Sequence, residues 1–278
     1  MRKLLSANFA RLWRSNFFWL TAGILCCWGG IVYFLMVLNT EKHGISDIAW
    51  NTYFFNGNLC LGPALAVFTA FFIGSEYSDG GFRNKIAVGH KRLPIYLSNL
   101  ITCAGAGILF LTTYWLGIIA MGLPLMGTEI LSGLDRPLLG VLFSCMAAVS
   151  YSALYCLIAM LDSSKARSVV IGLLLSAFLF FGGFATYNGL AQPEFTTYVV
   201  TNEQGQQELL ENVPNSKYLS ETERVVYQFL DAVLPSCQAL RPIMPKGEYP
   251  AHLPLCALGW TALLTIFGAE LFQRKDIK

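Results

Sequence analysis

Six long apolar stretches, almost free of charge, rule out a water-soluble fold for this chain. They run from Phe17 to Leu38, Tyr53 to Gly74, Ile95 to Leu123, Leu138 to Leu161, Val169 to Tyr187 and Leu253 to Phe272. A hydrocarbon core of roughly 30 Å takes about 20 helical residues to cross. Composition agrees: 55% of the residues are hydrophobic and 13% charged, against about 25% charged in soluble domains. That is too little polar surface to cover the apolar part. The third stretch is long for one crossing, and Pro124 is expected to end it, or the helix to tilt. The first stretch is longer than the core of a signal peptide and no small-residue cleavage site follows it, so it is expected to be retained.

The net charge of +2 says little, but its distribution fixes a topology. Arg2, Lys3, Arg11 and Arg14 precede the first span. Arg83, Lys85, Lys91 and Arg92 follow the second, Lys165 and Arg167 follow the fourth, and Arg274, Lys275 and Lys278 follow the sixth. The short loops on the other side carry only Lys42 and Arg136. Cytoplasmic loops are the ones enriched in Lys and Arg. The expected fold is therefore an all-α polytopic membrane protein, a single transmembrane domain over residues 1–278 with six transmembrane helices and both termini cytoplasmic. Residues 1–16 read as an amphipathic lead-in helix, with Leu4, Leu5, Phe9, Leu12 and Trp13 on one face and basic groups elsewhere, suited to membrane lipid.

Residues 188–251 form the one sizeable hydrophilic segment, placed outside by the charge count and carrying four basic and eight acidic residues. Phe195 to Val200 and Gln206 to Leu210, with a break at Thr201 to Gly205, fit a β-hairpin. Ser220 and Glu223 match a capping box. Val225, Val226, Phe229, Leu230 and Val233 follow at helical spacing, and Pro235 ends that helix. A small extracellular α/β cap between spans five and six is expected. Seven of the eight cysteines fall within the spans, and only Cys237 sits in the cap segment, so no disulfide framework is expected.

Motifs of chemistry are missing from the sequence. There is no glycine loop ending in Lys-Ser or Lys-Thr, no His-Glu-x-x-His and no Gly-x-Ser-x-Gly. His43, His90 and His252 fall on different sides of the membrane in this topology. No carboxylate sits at mid-depth in a span, which disfavours ion coupling. No enzyme activity, cofactor, metal or nucleic-acid partner is expected of the chain itself. In the second span Gly62, Ala66, Ala70 and Gly74 recur every four residues and line one helical face. Such a face lets another helix approach closely, whether for plain packing or for sliding during a transport cycle. Ser144, Ala148, Ser152 and Cys156 repeat the device in the fourth span.

The loop over residues 75–94 is the informative segment. Helix two continues through Glu76-Tyr77, Gly80-Gly81 permits a sharp turn, and Phe82 to Val88 is long enough for one or two helical turns before Gly89. Glu-Tyr-x-x-Gly, a small residue, x, then Arg83-Asn84 directly after an apolar span resembles the type-2 permease family of ABC (ATP-binding cassette) transporters. The family has threonine where Gly81 stands here. The ending Leu271-Phe272-Gln273-Arg274-Lys275-Asp276 is also similar to the family's. The resemblance implies a half-transporter that pairs with a second permease subunit, identical or related, and docks a cytoplasmic ATP-binding subunit holding ATP and Mg. Glu76, Tyr77, Gly80, Gly81, Phe82, Arg83 and Asn84 would form the coupling element, with Glu76 and Arg83 anchoring it to the partner by charge-assisted hydrogen bonds and Tyr77 and Phe82 giving apolar contacts. The cargo implied is an amphipathic peptide, antibiotic or lipid-like molecule exported across a bacterial cell membrane. The other class open at this point is a membrane anchor or sensor whose outer loop binds a ligand without transport.

Overall fold

The computed structural model describes residues 1–43, 53–126, 135–201, 207–244 and 249–276. A short helix α1 (Arg2–Arg14) is followed at Ser15 by α2 (Asn16–His43). Then come α3 (Asn58–Ser78), the short α4 (Gly81–Ala87), α5 (Arg92–Met126), α6 (Asp135–Leu161) and α7 (Lys165–Leu190). Strands β1 (Phe195–Thr201) and β2 (Gln207–Pro214) precede α8 (Glu221–Val233), α9 (Pro235–Leu240), a 3-10 turn at Arg241–Ile243 and α10 (His252–Arg274). Among the described residues six helices are long and apolar enough to cross a membrane, at Asn16–Leu38, Tyr53–Ser78, Arg92–Gly122, Leu138–Leu161, Lys165–Leu190 and His252–Arg274. They match the six expected spans. The third extends to Met126 with Pro124 in its last turn. Proline there removes the one bond its own N–H would donate to the Ala120 carbonyl, and the helix ends two residues later.

Where lipid removes the hydrophobic incentive, helices associate through close backbone contact. The tightest approach joins α2 to α5. A Cβ on Gly117 would fall inside the radius of the Cys26 carbonyl oxygen, and one on Gly29 inside that of Tyr114. The small-residue row of α3 faces α7 instead. A Cβ on Gly62 would stand 2.8 Å from Ser176 Oγ, Ala66 lies against Gly172, and Gly74 lies against Lys165. Behind these seams lies one continuous core that includes Leu65, Phe68, Tyr96, Phe110, Ala147, Ala148 and Tyr155.

The bundle has two unlike ends. One gathers α1, the turn from α3 through α4 into α5, the α6–α7 junction and the end of α10, and with them both chain ends. The other carries the hairpin, α8 and α9. Strands β1 and β2 pair antiparallel, from Phe195↔Pro214 to Thr201↔Gln207, with an irregularity between Thr196 and Tyr198. The expected break at Thr201 to Gly205 falls mostly in 202–206, outside the described residues, as does Lys278. The Ser220–Glu223 capping box is formed in both directions.

Two expectations are corrected. Cys237 does not stand out in a loop: all of α9 and the turn after it are buried, seated against α6, α7 and α3. Part of the 188–251 segment is thus an insertion into the bundle rather than a cap on it. In α1 the packed face holds Leu4, Asn8 and Leu12. Leu4 and Leu12 meet protein rather than lipid, and the polar Asn8 is buried with them.

Candidate coupling site

Glu76 sits in the last turn of α3 and is only 4% exposed. A carboxylate there is doubly disfavoured, by loss of water and by the negative end of the helix dipole. The structure answers with cations and amide donors drawn from three other elements. Arg11 of α1 lies 2.6 Å from Glu76 Oε1, and Lys85 of α4 donates to the same oxygen. Asn99 Nδ2 of α5 donates to Glu76 Oε2 at 3.1 Å. Asn8 of α1 completes the web: it donates to Ser98 Oγ at 3.3 Å and Asn99 Oδ1 at 3.2 Å, and accepts from Lys85 Nζ at 3.0 Å. The Arg11 guanidinium also stacks over the Phe72 ring, 3.8 Å from its centroid. Burial pulls the Lys85 ammonium below its ordinary pKa, opposed by the attraction and hydrogen bond of Glu76.

The next residue faces a second set of partners. Tyr77 Oη donates to the Met160 carbonyl at 2.5 Å, at the end of α6, and accepts from Lys275 Nζ at 2.9 Å. Lys275 also donates to Met160 at 3.0 Å, so two donors satisfy a carbonyl that the helix end leaves without a partner. Arg92 closes the end of α10 in the same way, donating to the Gln273 carbonyl at 2.7 Å and the Lys275 carbonyl at 2.5 Å. The ring of Phe82 packs 4.5 Å from Tyr77 and 5.8 Å from Phe272. Burial draws the Lys275 ammonium below its usual pKa, with Asp162 opposing.

Between these webs the chain turns at Gly80, whose φ of +68° lies in the left-handed region where glycine carries no Cβ penalty. Gly89, at φ +91°, ends the loop in the same way. Gly81 is different: its φ is ordinary, and a Cβ there would sit 3.4 Å from Glu76 Cγ. The conformation does not require glycine at that position.

The structure thus sorts the expected site residues into two groups. Glu76 and Phe82 are buried, and Tyr77 is half-buried against Met160 and Lys275. Glu76 and Phe82, expected to meet a partner, both face inward in this chain and hold the loop from within. Arg83 and Asn84 are exposed on the far side of α4. Val88, 79% exposed at the tip, is an apolar surface residue that sequence reasoning missed. Also missed were Asn8, Arg11, Lys85, Asn99, Arg92 and Lys275. The legible signal for two of them was an asparagine on an otherwise apolar face, Asn8 in α1 and Asn99 near the start of α5.

Six membrane-capable helices, an internal ion-pair hub at one end and a short helix hung between two of them describe a polytopic membrane protein. The model of the ABC-2 family transporter protein matches residues 4–183. The chain belongs to that family, and is a multi-pass membrane permease of the ABC transporter class. Membrane subunits of this family typically work with an ATP-binding subunit. The match takes in the whole Glu76 hub and ends within α7, before the hairpin, α9 and α10. Among curated proteins, none matches the chain.

Proposed function

We propose that this permease is the membrane subunit of an ATP-driven exporter, with the loop over residues 75–94 on the cytoplasmic side as its coupling element. The observation that carries the reading is the two-sidedness of α4. Its inner side is locked to α1, α3 and α5 through Lys85–Glu76–Arg11 and to α10 through Phe82. Its outer side offers Arg83, Asn84 and, just past its end, Val88. A rigid short helix with such a hub behind it passes a push from outside into several spans at once. Supporting the orientation, the charged residues Arg11, Lys85, Arg92 and Lys275 all lie at that end, as positive-inside statistics require of a cytoplasmic face.

In this reading a separate ATP-binding subunit, with ATP and Mg, seats on Arg83 and Val88. A second permease subunit, identical or related, completes the pathway. The cap lies outside a bacterial cell membrane, and the cargo is an amphipathic peptide, antibiotic or lipid-like molecule. The test is affinity purification of the tagged chain from solubilised membranes. An ATP-binding subunit should co-purify, be lost with Arg83→Glu/Val88→Asp, and be retained with Glu76→Gln at lower cargo-stimulated ATP turnover. Recovery of no such subunit with the unaltered chain overturns the reading and returns the protein to the anchor or sensor class.

A further inference from the structure

The inserted helix α9 meets α3 at a place where hydrogen-bonding groups outnumber their partners. Asn58, in the first turn of α3, is 3% exposed. Its amide nitrogen donates to Ser144 Oγ at 2.8 Å and to the Ala239 carbonyl at 2.9 Å. Its carbonyl oxygen has no partner among the described residues, and Ser236 Oγ, on a residue 1% exposed, makes no close hydrogen bond there, with the Tyr151 hydroxyl and the Cys237 thiol as its polar neighbours. A third acceptor follows from covalent structure. Pro63 lies inside α3 and has no N–H, so the Leu59 carbonyl four residues earlier lacks its helical donor. In lipid such groups cannot turn to bulk water, and an unmatched one costs several kcal/mol.

Asn58, Leu59, Pro63 and Ser236 all line one small cavity of ≈ 10 Å³, walled by Tyr151, Ser176 and Phe180. Buried waters sit in spaces of at least about 10–15 Å³ and make about three hydrogen bonds to otherwise unmet polar groups. Genuinely empty cavities are apolar, and this one is not.

We propose that this cavity is a binding site for one ordered water, which donates to Asn58 Oδ1 and the Leu59 carbonyl, accepts from the Ser236 hydroxyl, and so joins the Pro63 break in α3 to the inserted helix α9. The three bonds serve two buried side-chain groups and the carbonyl that Pro63 deprives of its i+4 donor. The seat of α9 on α3 is then half direct, through Asn58 to Ala239, and half water-mediated. A water-mediated joint exchanges partners without leaving a stranded polar group, which suits an element packed into the end of a bundle that must move. The inference does not depend on which side of the membrane the cap occupies or on an ATPase.

The experiment is hydroxyl-radical footprinting of the full chain in lipid nanodiscs, in which a bound water delivers radical to buried side chains beside it. Tyr151, 4% exposed, walls the cavity; Tyr114, 1% exposed and bonded to the Tyr53 carbonyl at 2.8 Å, is the dry control of the same chemistry. Tyr151 is expected to label well above Tyr114, and to fall to its level in Asn58→Leu, which fills the site with an apolar side chain. Ser236→Ala removes one bond without bulk and is expected to lower Tyr151 labelling even where Asn58→Leu does not fold. Equal labelling of Tyr151 and Tyr114 in the unaltered chain overturns the proposal. So does undiminished Tyr151 labelling in a folded Asn58→Leu or Ser236→Ala protein.

Discussion

The basic end and the cap end of this bundle solve the same problem by opposite means. Both must fix a short helix against the ends of long ones. At the basic end α4 is held by charge: one carboxylate, Glu76, is shared by Arg11, Lys85 and Asn99. At the cap end α9 meets α3 and α6 through neutral groups: Asn58 of α3 donates to the Ala239 carbonyl, and Ser150 of α6 donates to Gln238 Oε1 at 3.5 Å. An ion pair nearby, Arg241 with Asp231, ties the turn after α9 to α8. A buried ion pair is unforgiving, since removing one partner strands the other. Neutral hydrogen bonds are weaker and exchangeable. The contrast teaches that the end proposed to receive force is tied by charge, and the other end by neutral bonds that exchange partners more readily.

The largest break in that contrast should come from Glu76→Ala, which leaves Arg11 and Lys85 facing each other without a counter-charge. Removing one member of a buried pair costs about 3–5 kcal/mol, and the lower figure applies here because Arg11 keeps 31% of its side chain exposed. Thermal unfolding in nanodiscs should show the loss, and hydrogen exchange should place it in residues 76–92 with the cap end unchanged. Gly117→Val tests the seam that both ends share. Overpacking costs about 1–3 kcal/mol, and exchange should here rise at both ends together. A loss confined to one end would mean the α2–α5 seam is not common to them.

Tyr77→Phe removes only the hydroxyl that bridges Met160 and Lys275. About 1 kcal/mol is expected, with faster exchange at the start of α7 and the end of α10, measured by the same method. The smallest effect belongs to the cap. Hydrogen bonds from the Ser220 side chain, then its backbone N–H, hold the Glu223 carboxyl below its ordinary value. A carboxylate with a depressed folded pKa contributes stability above its unfolded value and loses it as pH falls through the folded one. Amide protection in the first turn of α8, corrected for intrinsic exchange, should therefore fall on acidification from above pH 4.5, and should not do so in Glu223→Gln.

The six spans were legible because long apolar runs have one physical explanation, and the capping box because its two residues are three apart. The hub was not legible. Asn8 and Arg11 reach Glu76 and Asn99 across a separation in sequence that no local pattern encodes, so a basic lead-in looked like a lipid-facing flank. Glu76 looked like a surface anchor because a charge near a span end is usually solvated, and only packing shows two cations waiting inside. The insertion of α9 was hidden for a related reason. Pro235, Ser236, Gln238 and Arg241 have the composition of a loop, and their burial depends on partners in α3 and α7. The four-residue row in α3 was visible and does face a helix. The closer approach at Gly29 and Gly117 belongs to no comparable row and was passed over.

A photo-reactive amino acid at position 88, compared with one at position 82, tests the central claim most directly. Irradiated in native membranes, the probe at Val88 should cross-link to an ATP-binding subunit, while the probe at Phe82, buried against Tyr77 and Phe272, should cross-link only within the chain. Capture of the ATPase from position 82 and not from 88 would contradict the account, as would labelling of position 88 by membrane-impermeant reagent added to intact cells.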